Sequence, residues 1–328
     1  MTYRTTSDPV RRRGRIGGVF ADLVRRATLM AYRRDIREIR RQTREGGRIA
    51  VTRLGPIEYA CEGSGTPALI IHGASGGYDQ GLLLARAFAP TGVRTIAPSR
   101  FGYLRTPLPD DASPAAQAEA HAALLDALAI DSAVVVGASA GAPSAVELAL
   151  RQPNRVRALI LPVPRGHVPD APTLPLPLSR RLLLTLLLSS DLAYWSALRL
   201  AGDGLARCLG VLPALVTRTN EAEQERVRAM MRSVLPVTAR LAGLKNDART
   251  RLACLPLEKI NAPTLIIAAR DDLFDTLPAA ELMADAIPGA RLVVLASGGH
   301  LLVGRRSEVA ALVDAFLAEI NEQRPVNP

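Results

Sequence analysis

The stretch VVVGASAG at residues 134–141 is the most specific signal in this sequence. Its apolar, β-branched start predicts a strand, and the small residues that follow predict a tight turn into a helix. Gly137 and Gly141 flank Ser139 in a G-x-S-x-G pattern, which lets the backbone crowd closely around the serine. The N-terminus of the following helix favours developing negative charge. The pattern indicates a nucleophilic serine; the alternative is a small-residue turn with an incidental serine.

A second glycine-rich turn, IIHGASGG at residues 70–77, also follows an apolar run directly. A backbone N–H in this loop can supply one half of an oxyanion hole, and the N–H of Ala140 can supply the other half. His72 could be a general base or a structural histidine that fixes the loop. We favour the structural interpretation.

Two further polar clusters end apolar runs nearer the C-terminus. Asp271 and Asp272 close the stretch LIIAARDD at residues 265–272, and His300 follows two glycines in ASGGHLL at residues 296–302. An acid at the end of a strand can orient a histidine, although either aspartate could instead cap a turn. Serine, acid and histidine thus each follow a strand, at the edge where open parallel sheets bind ligands.

Short apolar runs alternate with helical patterns along most of the chain. Runs without polar alternation suit strands that are buried on both faces, and the strand–helix order favours a parallel sheet. We therefore predict an α/β fold with a mostly parallel sheet flanked by helices. The predicted strands span residues 48–54, 57–61, 68–71, 93–97, 133–136, 156–161, 264–268 and 291–295, and the helices span residues 80–89, 113–128, 142–151, 277–286 and 307–320.

The alternation pauses between residues 164 and 255. This region opens with five prolines and then shows helical patterns near residues 180–200 and 221–233, which predicts a helical insertion between two strands. Its leucine-rich stretch at residues 182–188 either packs these helices together or lines an apolar substrate pocket. We favour packing.

The composition excludes several classes of protein. With 48% hydrophobic and 22% charged residues among 328, the chain is neither collagen-like, coiled-coil nor disordered. No uncharged apolar run approaches the roughly 18 residues of a membrane span. The three cysteines are far apart and form no metal-ligand pattern, so we expect a reduced, cytoplasmic protein without a metal or cofactor.

The positive charge is concentrated in the N-terminal arm. Residues 1–48 carry a net charge of +9 and the rest of the chain carries +1. Residues 18–44 predict an amphipathic helix that ends at two glycines, with an apolar stripe of Phe20, Leu23, Val24, Ala27, Met30, Ile36 and Ile39. We favour a helix packed on the rest of the molecule; the alternative is weak peripheral contact with an anionic membrane through residues 18–44. No nucleic-acid motif accompanies the charge, so we expect a small-molecule substrate rather than a nucleic-acid partner.

Together, these motifs and their order resemble the α/β-hydrolase fold superfamily, within its capped Ser–Asp–His members. The resemblance covers about residues 48–163 and 256–325. It implies a hydrolase core at residues 48–163 and 256–328 and a helical cap at residues 164–255, and the charge and periodicity of residues 1–47 add a basic helical extension before the core. The SRFGY stretch at residues 99–103 stands where relatives often have Asp-x-Arg-Gly-x-Gly, with Ser99 and Phe101 as departures.

The resemblance also implies the roles of the site residues. Ser139 would be the nucleophile, His300 the base and Asp272 the orienting acid, while the N–H groups of Ala74 and Ala140 would bind the oxyanion. The loop residues His72, Gly73, Gly137 and Gly141 would support them.

We therefore expect a serine hydrolase that cleaves an ester-type bond of a small, apolar substrate through an acyl-enzyme. One alternative is a carbon–carbon bond hydrolase with the same three residues, and another is a ligand-binding member without activity. Relatives that resemble this fold but use an aspartate nucleophile are disfavoured by Ser139.

Overall fold

The computed structural model describes residues 9–88, 92–169 and 185–322 and, within the first helix, the side chains of Asp22 and of residues from 25 onward. The predicted stripe residues Phe20, Leu23 and Val24 and the leucines at 182–184 lie outside the described side chains. The strands are β1 (Arg48–Thr52), β2 (Gly55–Glu62), β3 (Thr66–Ile71), β4 (Val93–Pro98), β5 (Ala133–Gly137), β6 (Val156–Pro162), β7 (Thr264–Ala269) and β8 (Arg291–Leu295). The helices are α1 (Pro9–Glu45), α2 (Tyr78–Phe88), α3 (Pro114–Ala127), α4 (Ala142–Arg151), α5 (Asp191–Ala201), α6 (Pro213–Thr217), α7 (Glu221–Arg232), α8 (Leu241–Arg249), α9 (Leu277–Ala286) and α10 (Arg306–Glu322).

The strands form an eight-stranded sheet in the order β1-β2-β4-β3-β5-β6-β7-β8. The first strand pairs antiparallel with β2 and β2 pairs antiparallel with β4, whereas all other neighbours are parallel. The predicted fold class, a mostly parallel α/β sheet flanked by helices, is therefore confirmed.

Alternate residues of the central strands pack into two apolar cores, one on each face of the sheet. In β3, Leu69 and Ile71 join the core that contains residues of α3, α4 and α9, while Ala68 and Ile70 join the core that contains residues of α2 and α10. Burial on both faces explains why these strands are continuous apolar runs. The helices thus cover both faces of the sheet.

Local sequence signals predicted the start of α3 correctly and the position of the first hairpin turn incorrectly. Ser113 caps α3 as predicted, because its hydroxyl accepts a 3.2 Å hydrogen bond from the backbone N–H of Ala116 and Pro114 takes the first helical position. The first hairpin differs from the prediction, since its turn lies at Arg53-Leu54 rather than at Gly55-Pro56. Thr52 stabilises this turn by accepting a hydrogen bond from Leu54 N–H.

The segment between β6 and β7 carries α5 to α8, which we call the inserted helices. They form a third apolar cluster that includes Tyr194, Trp195 and Met231, and Ile36 of α1 is buried in the same cluster. The first helix begins at Pro9, nine residues before its predicted start, and its C-terminal part packs on the inserted helices.

Polar contacts reinforce the packing of α1. The carboxylate of Asp35 accepts hydrogen bonds from Trp195 Nε1 at 3.2 Å and from Arg199 at 2.8 Å, and Arg40 pairs with Asp191 at 2.8 Å. Met30, predicted on the apolar stripe, is instead 69% exposed because it lies on another side of the helix from Ile36. Within the described ranges, no helix is long and apolar enough to cross a membrane.

Candidate active site

Ser139 lies at the turn between β5 and α4, as its motif predicts. A 3₁₀ turn at Ser139–Gly141 links the two elements, and Ser139 adopts a φ of +50°. Non-glycine residues rarely adopt this left-handed conformation, so the surrounding structure must hold the serine there.

The flanking glycines make this turn sterically possible. A Cβ at Gly137 would lie 2.5 Å from the Cβ of Ala145, and a Cβ at Gly141 would lie 2.6 Å from the carbonyl oxygen of Ile71. Both distances are far below ordinary contact, so the turn can approach α4 and β3 only with glycine at these positions. The motif therefore reflects packing around the serine as well as its exposure.

The structure brings Ser139, His300 and Asp272 together in one chain of hydrogen bonds. His300 Nε2 lies 2.8 Å from Ser139 Oγ, and His300 Nδ1 lies 2.8 Å from Asp272 Oδ2. A carboxylate can only accept, so Nδ1 carries the proton and Nε2 is the acceptor for the serine hydroxyl. The three residues come from the C-terminal ends of β5, β7 and β8, which explains how positions 161 residues apart meet.

Asp272 is held as a charged carboxylate. Burial alone raises its pKa, but the hydrogen bond and electrostatic attraction from His300, together with the hydrogen bonds from Thr276 and the Phe274 N–H, outweigh burial, so the pKa of Asp272 is below its ordinary value. Thr276 Oγ1 donates to Asp272 Oδ2 at 2.5 Å, and Phe274 N donates to Oδ1 at 2.8 Å. These donors fix the carboxylate against His300.

The neighbouring Asp271 has a different position. Its carboxylate accepts a 2.8 Å hydrogen bond from the backbone N–H of Gly299, immediately before His300. Asp271 therefore contacts the loop that carries the histidine, while Asp272 contacts the imidazole.

His72 is a buried part of the loop after β3, and both of its ring nitrogens bind groups other than Ser139. Its Nε2 accepts a 3.0 Å hydrogen bond from Arg100 N–H, so its proton is on Nδ1, which donates to Gly73 O at 2.7 Å. Burial first, and then the positive charge of Arg100, hold the pKa of His72 well below its ordinary value. A neutral imidazole with both nitrogens engaged matches the structural interpretation.

The two expected oxyanion donors occupy different surroundings. Ala74 lines a cavity of about 110 Å³ together with Ser139 and His300. Ala140, in the 3₁₀ turn, is buried and lines a separate cavity of about 30 Å³ with Arg100 and Asp247. Gly73 lines the cavity beside Ser139 and lies against the serine, since a Cβ on it would come within 3.2 Å of the Ser139 Cβ.

The cavity beside Ser139 is mostly apolar. Its lining includes Leu84, Phe88, Pro162, Val163, Leu209, Met230, Phe274, Leu301 and Leu302. Among the described lining residues, Arg226 is the one arginine, and it is paired with Glu223 of the same helix at 2.7 Å. The cavity therefore presents little net charge.

Sequence reasoning missed Arg226, although its i, i+3 spacing from Glu223 on a helix is a recognisable signal. It donates to both carboxylate oxygens of Glu223 and to Leu301 O, while its Nη1 is buried without a hydrogen-bond partner. In the part of the chain that the structure describes, no three His, Cys, Asp or Glu side chains are grouped to hold a metal ion.

A buried network around Arg100 was also not foreseen. Arg100 donates to both carboxylate oxygens of Asp247, at 2.9 and 2.6 Å, and Tyr103 OH donates to the same carboxylate at 2.5 Å. The loop at residues 99–103 thus binds an acid of α8. No local pattern connects positions 147 residues apart, so the sequence held no signal for this pair.

Comparison with known proteins identifies a matching family model and relatives of this chain. The model of the family described as the alpha/beta hydrolase fold matches residues 66–304. The chain is 32% identical to the 2-hydroxymuconate semialdehyde hydrolase of Pseudomonas putida, over 79% of this chain and 89% of that protein. It is 27% identical to a 2-hydroxy-6-oxononadienedioate/2-hydroxy-6-oxononatrienedioate hydrolase of a Pseudomonas species, over 75% and 86% of the two chains.

A solved structure shows a similar fold. An alpha/beta hydrolase fold protein from Nakamurella multipartita superposes with a TM-score of 0.65 at 31% identity, covering 84% of this chain and 98% of that one.

Proposed function

We propose that this chain, which belongs to the α/β-hydrolase fold family, is a serine hydrolase that cleaves the ester-type bond of a small, apolar substrate. The observation that carries the proposal is the pair of 2.8 Å contacts that link Ser139 to His300 and His300 to Asp272. A serine hydroxyl is a weak nucleophile near neutral pH and needs an adjacent base.

In the first half of the reaction, Ser139 Oγ attacks the substrate carbonyl carbon while His300 Nε2 takes the hydroxyl proton. The carbonyl oxygen becomes an oxyanion, which the backbone N–H groups of Ala74 and Ala140 stabilise. Asp272 holds the imidazole and stabilises the imidazolium. When the intermediate collapses, the bond to the leaving oxygen breaks, that oxygen receives the proton from His300, and an acyl-enzyme on Ser139 remains.

In the second half, water attacks the acyl-enzyme carbonyl and gives a proton to His300. Collapse of this second intermediate releases the carboxylic acid and returns the proton to Ser139 Oγ. The strained conformation of Ser139 and the hydrogen bonds on Asp272 keep the reacting groups aligned throughout.

The cavity supports the substrate class. Its lining is apolar around Phe88, Met230 and Phe274, and its volume of about 110 Å³ suits a short acyl group. The pairing of Arg226 with Glu223 leaves no strong net charge to attract an ionised substrate.

A second candidate is hydrolysis of a carbon–carbon bond beside a ketone. Two observations favour it: the 32% identity to the Pseudomonas putida hydrolase, and the unpartnered Nη1 of Arg226, which could donate to a second oxygen of such a substrate. The same serine, histidine and aspartate would serve this reaction.

One experiment separates these functions. The protein is assayed with p-nitrophenyl esters of increasing acyl length and, in parallel, with a vinylogous 1,5-diketone, using Ser139→Ala as the control. We expect the short acyl esters to be hydrolysed and Ser139→Ala to lose at least about a thousandfold in turnover. Cleavage of the diketone alone would favour the second candidate, and ester hydrolysis that survives in Ser139→Ala would contradict both.

A further inference from the structure

We propose that Asp247 of α8 is a positioning residue that sets the oxyanion donor of Ala74, acting through Arg100 and the carbonyl oxygen of Gly73. The inference rests on the proposed function, because it assigns a role in stabilising the oxyanion.

Two donors hold the carbonyl oxygen of Gly73. It accepts hydrogen bonds from His72 Nδ1 at 2.7 Å and from Arg100 Nη2 at 3.2 Å. The Gly73–Ala74 peptide is trans, since the one cis bond among the described residues is Leu235–Pro236. In a planar trans peptide the N–H points opposite to the C=O. Holding the oxygen of Gly73 therefore aims the Ala74 N–H away from His72 and Arg100.

Arg100 needs a partner to hold this geometry. The side chain is buried, and an isolated buried guanidinium is costly. Asp247, only 8% exposed, accepts from both Nη1 and Nη2 of Arg100, and this bidentate pair fixes the plane of the guanidinium. The second proton on Nη2 is then directed at Gly73 O.

A further contact ties the same end of α8 to the nucleophile turn. Arg165 donates from its guanidinium to Asp247 O at 2.7 Å, and its backbone N–H donates to Ser139 O at 3.0 Å. The C-terminal end of α8 is thus fixed to Ser139 through Arg165 and to the oxyanion loop through Arg100. Two reacting parts of the site share one support in the inserted helices.

A second ion pair whose arginine is also buried, although its carboxylate is more exposed, provides the control. Arg240 donates to Asp79 at 2.6 Å and to Gly76 O at 2.6 Å, so it also joins the inserted helices to the loop after β3. It contacts Gly76 rather than Gly73. Asp79→Asn therefore weakens an ion pair to the same loop without releasing the peptide that carries the Ala74 N–H.

The test compares Asp247→Asn with Asp79→Asn on an acyl p-nitrophenyl ester and with phenylboronic acid as a probe. The boronic acid forms a tetrahedral adduct in which Ser139 Oγ bonds to boron, the serine proton moves to His300 and one boron hydroxyl occupies the oxyanion site.

Loss of an oxyanion donor costs about a hundredfold to a thousandfold in kcat. Because Asp247→Asn loosens the donor without deleting it, we expect a fall in kcat of about tenfold or more. The affinity for phenylboronic acid should fall by the same factor, with little change in KM.

Asp79→Asn should also lower the melting temperature but leave kcat and the boronic acid affinity within about twofold of wild type. Three results would overturn the inference: an Asp247→Asn enzyme with wild-type kcat, a loss of kcat without loss of boronic acid affinity, or equal losses in both variants.

If Asp247→Asn does not fold, Tyr103→Phe replaces it, since it removes one donor to the same carboxylate. This variant should cause smaller losses of kcat and of boronic acid affinity, and the two losses should be equal. A wild-type enzyme with no Ser139-dependent ester hydrolysis would instead refute the proposed function, which keeps the two failures distinct.

Discussion

The C-terminal edge of the sheet and the inserted helices contribute to the same site in different ways. At the edge, Ser139, Asp272 and His300 each lie in the turn or loop after a strand, and the parallel sheet brings those strand ends together. The inserted helices contribute Asp247 and Arg226, whose contacts depend on how separate elements pack. The three proposed catalytic residues are thus specified by local patterns, whereas the shape of the cavity and the contacts of the loop after β3 depend on long-range packing.

The largest difference is expected between the two adjacent acids of the edge. Asp272→Asn should lower kcat/KM by about a thousandfold to ten-thousandfold, because the amide cannot hold the imidazole tautomer that accepts the serine proton. Asp271→Asn is the matched control. It keeps an oxygen that can accept from Gly299 N–H, so its loss should be below about tenfold. Ester kinetics on both variants check this, and a larger loss in Asp271→Asn would reverse the assignment.

The packing of α1 on the inserted helices can be tested next. Ile36 is 5% exposed in the cluster with Trp195, so Ile36→Ala should destabilise the protein by about 2–4 kcal/mol. Met30 lies on the same helix but is 69% exposed, so Met30→Ala should change stability by less than about 0.5 kcal/mol. Thermal unfolding of both variants measures the difference. Equal melting temperatures would show that α1 does not pack as described.

Replacing a glycine by alanine should also have different effects at the sheet edge and among the inserted helices. Gly137→Ala should destabilise the protein by about 1–3 kcal/mol or more, because the new methyl group would overlap Ala145 at 2.5 Å. Gly204, among the inserted helices, has open space where a methyl group would lie, with no described neighbouring atom within 4 Å, so Gly204→Ala should be close to neutral. Melting temperatures and ester turnover measured on both variants would distinguish them, and a neutral Gly137→Ala would refute the steric argument.

The smallest expected effect is a pH dependence at Asp272. Since its pKa is lowered in the folded state, the charged carboxylate contributes stability above its unfolded pKa of about 3.9, and that contribution is lost as the pH falls through the folded pKa. The melting temperature of wild type relative to Asp272→Asn should therefore be constant above about pH 5 and fall below about pH 4. A difference that stays unchanged in acid would show that Asp272 is not held in its charged form.

The two regions also differ in what the sequence could predict. The strand-to-helix turn at Ser139 and the glycines before His300 are short, contiguous patterns, and the parallel sheet converts their order into proximity. The local pattern alone does not separate Asp271 from Asp272, because both acids follow the same strand. The resemblance to relatives pointed to Asp272, and the 2.8 Å contact with His300 agrees with it.

The remaining contacts were not predictable for a physical reason. Arg100 contacts Asp247 only because α8 packs beside the loop after β4. No sequence pattern near either residue indicates that packing. The burial of residues on the apolar stripe of α1 could not be predicted from the sequence either. Its periodicity predicted an apolar face, but only its partner, the cluster around Trp195, determines that Ile36 is buried and Met30 is not.

The proposal that Ser139 is the nucleophile is tested most directly by covalent labelling. The protein is incubated with a fluorophosphonate, the adduct is located by peptide mass spectrometry, and Ser139→Ala and His300→Gln are treated in parallel. We expect one adduct per chain on Ser139, none on Ser139→Ala, and labelling of His300→Gln slowed by at least about a hundredfold, since the base that removes the serine proton is absent. Labelling of Ser139→Ala at the wild-type rate, or an adduct on another residue, would contradict the assignment of Ser139 as the nucleophile.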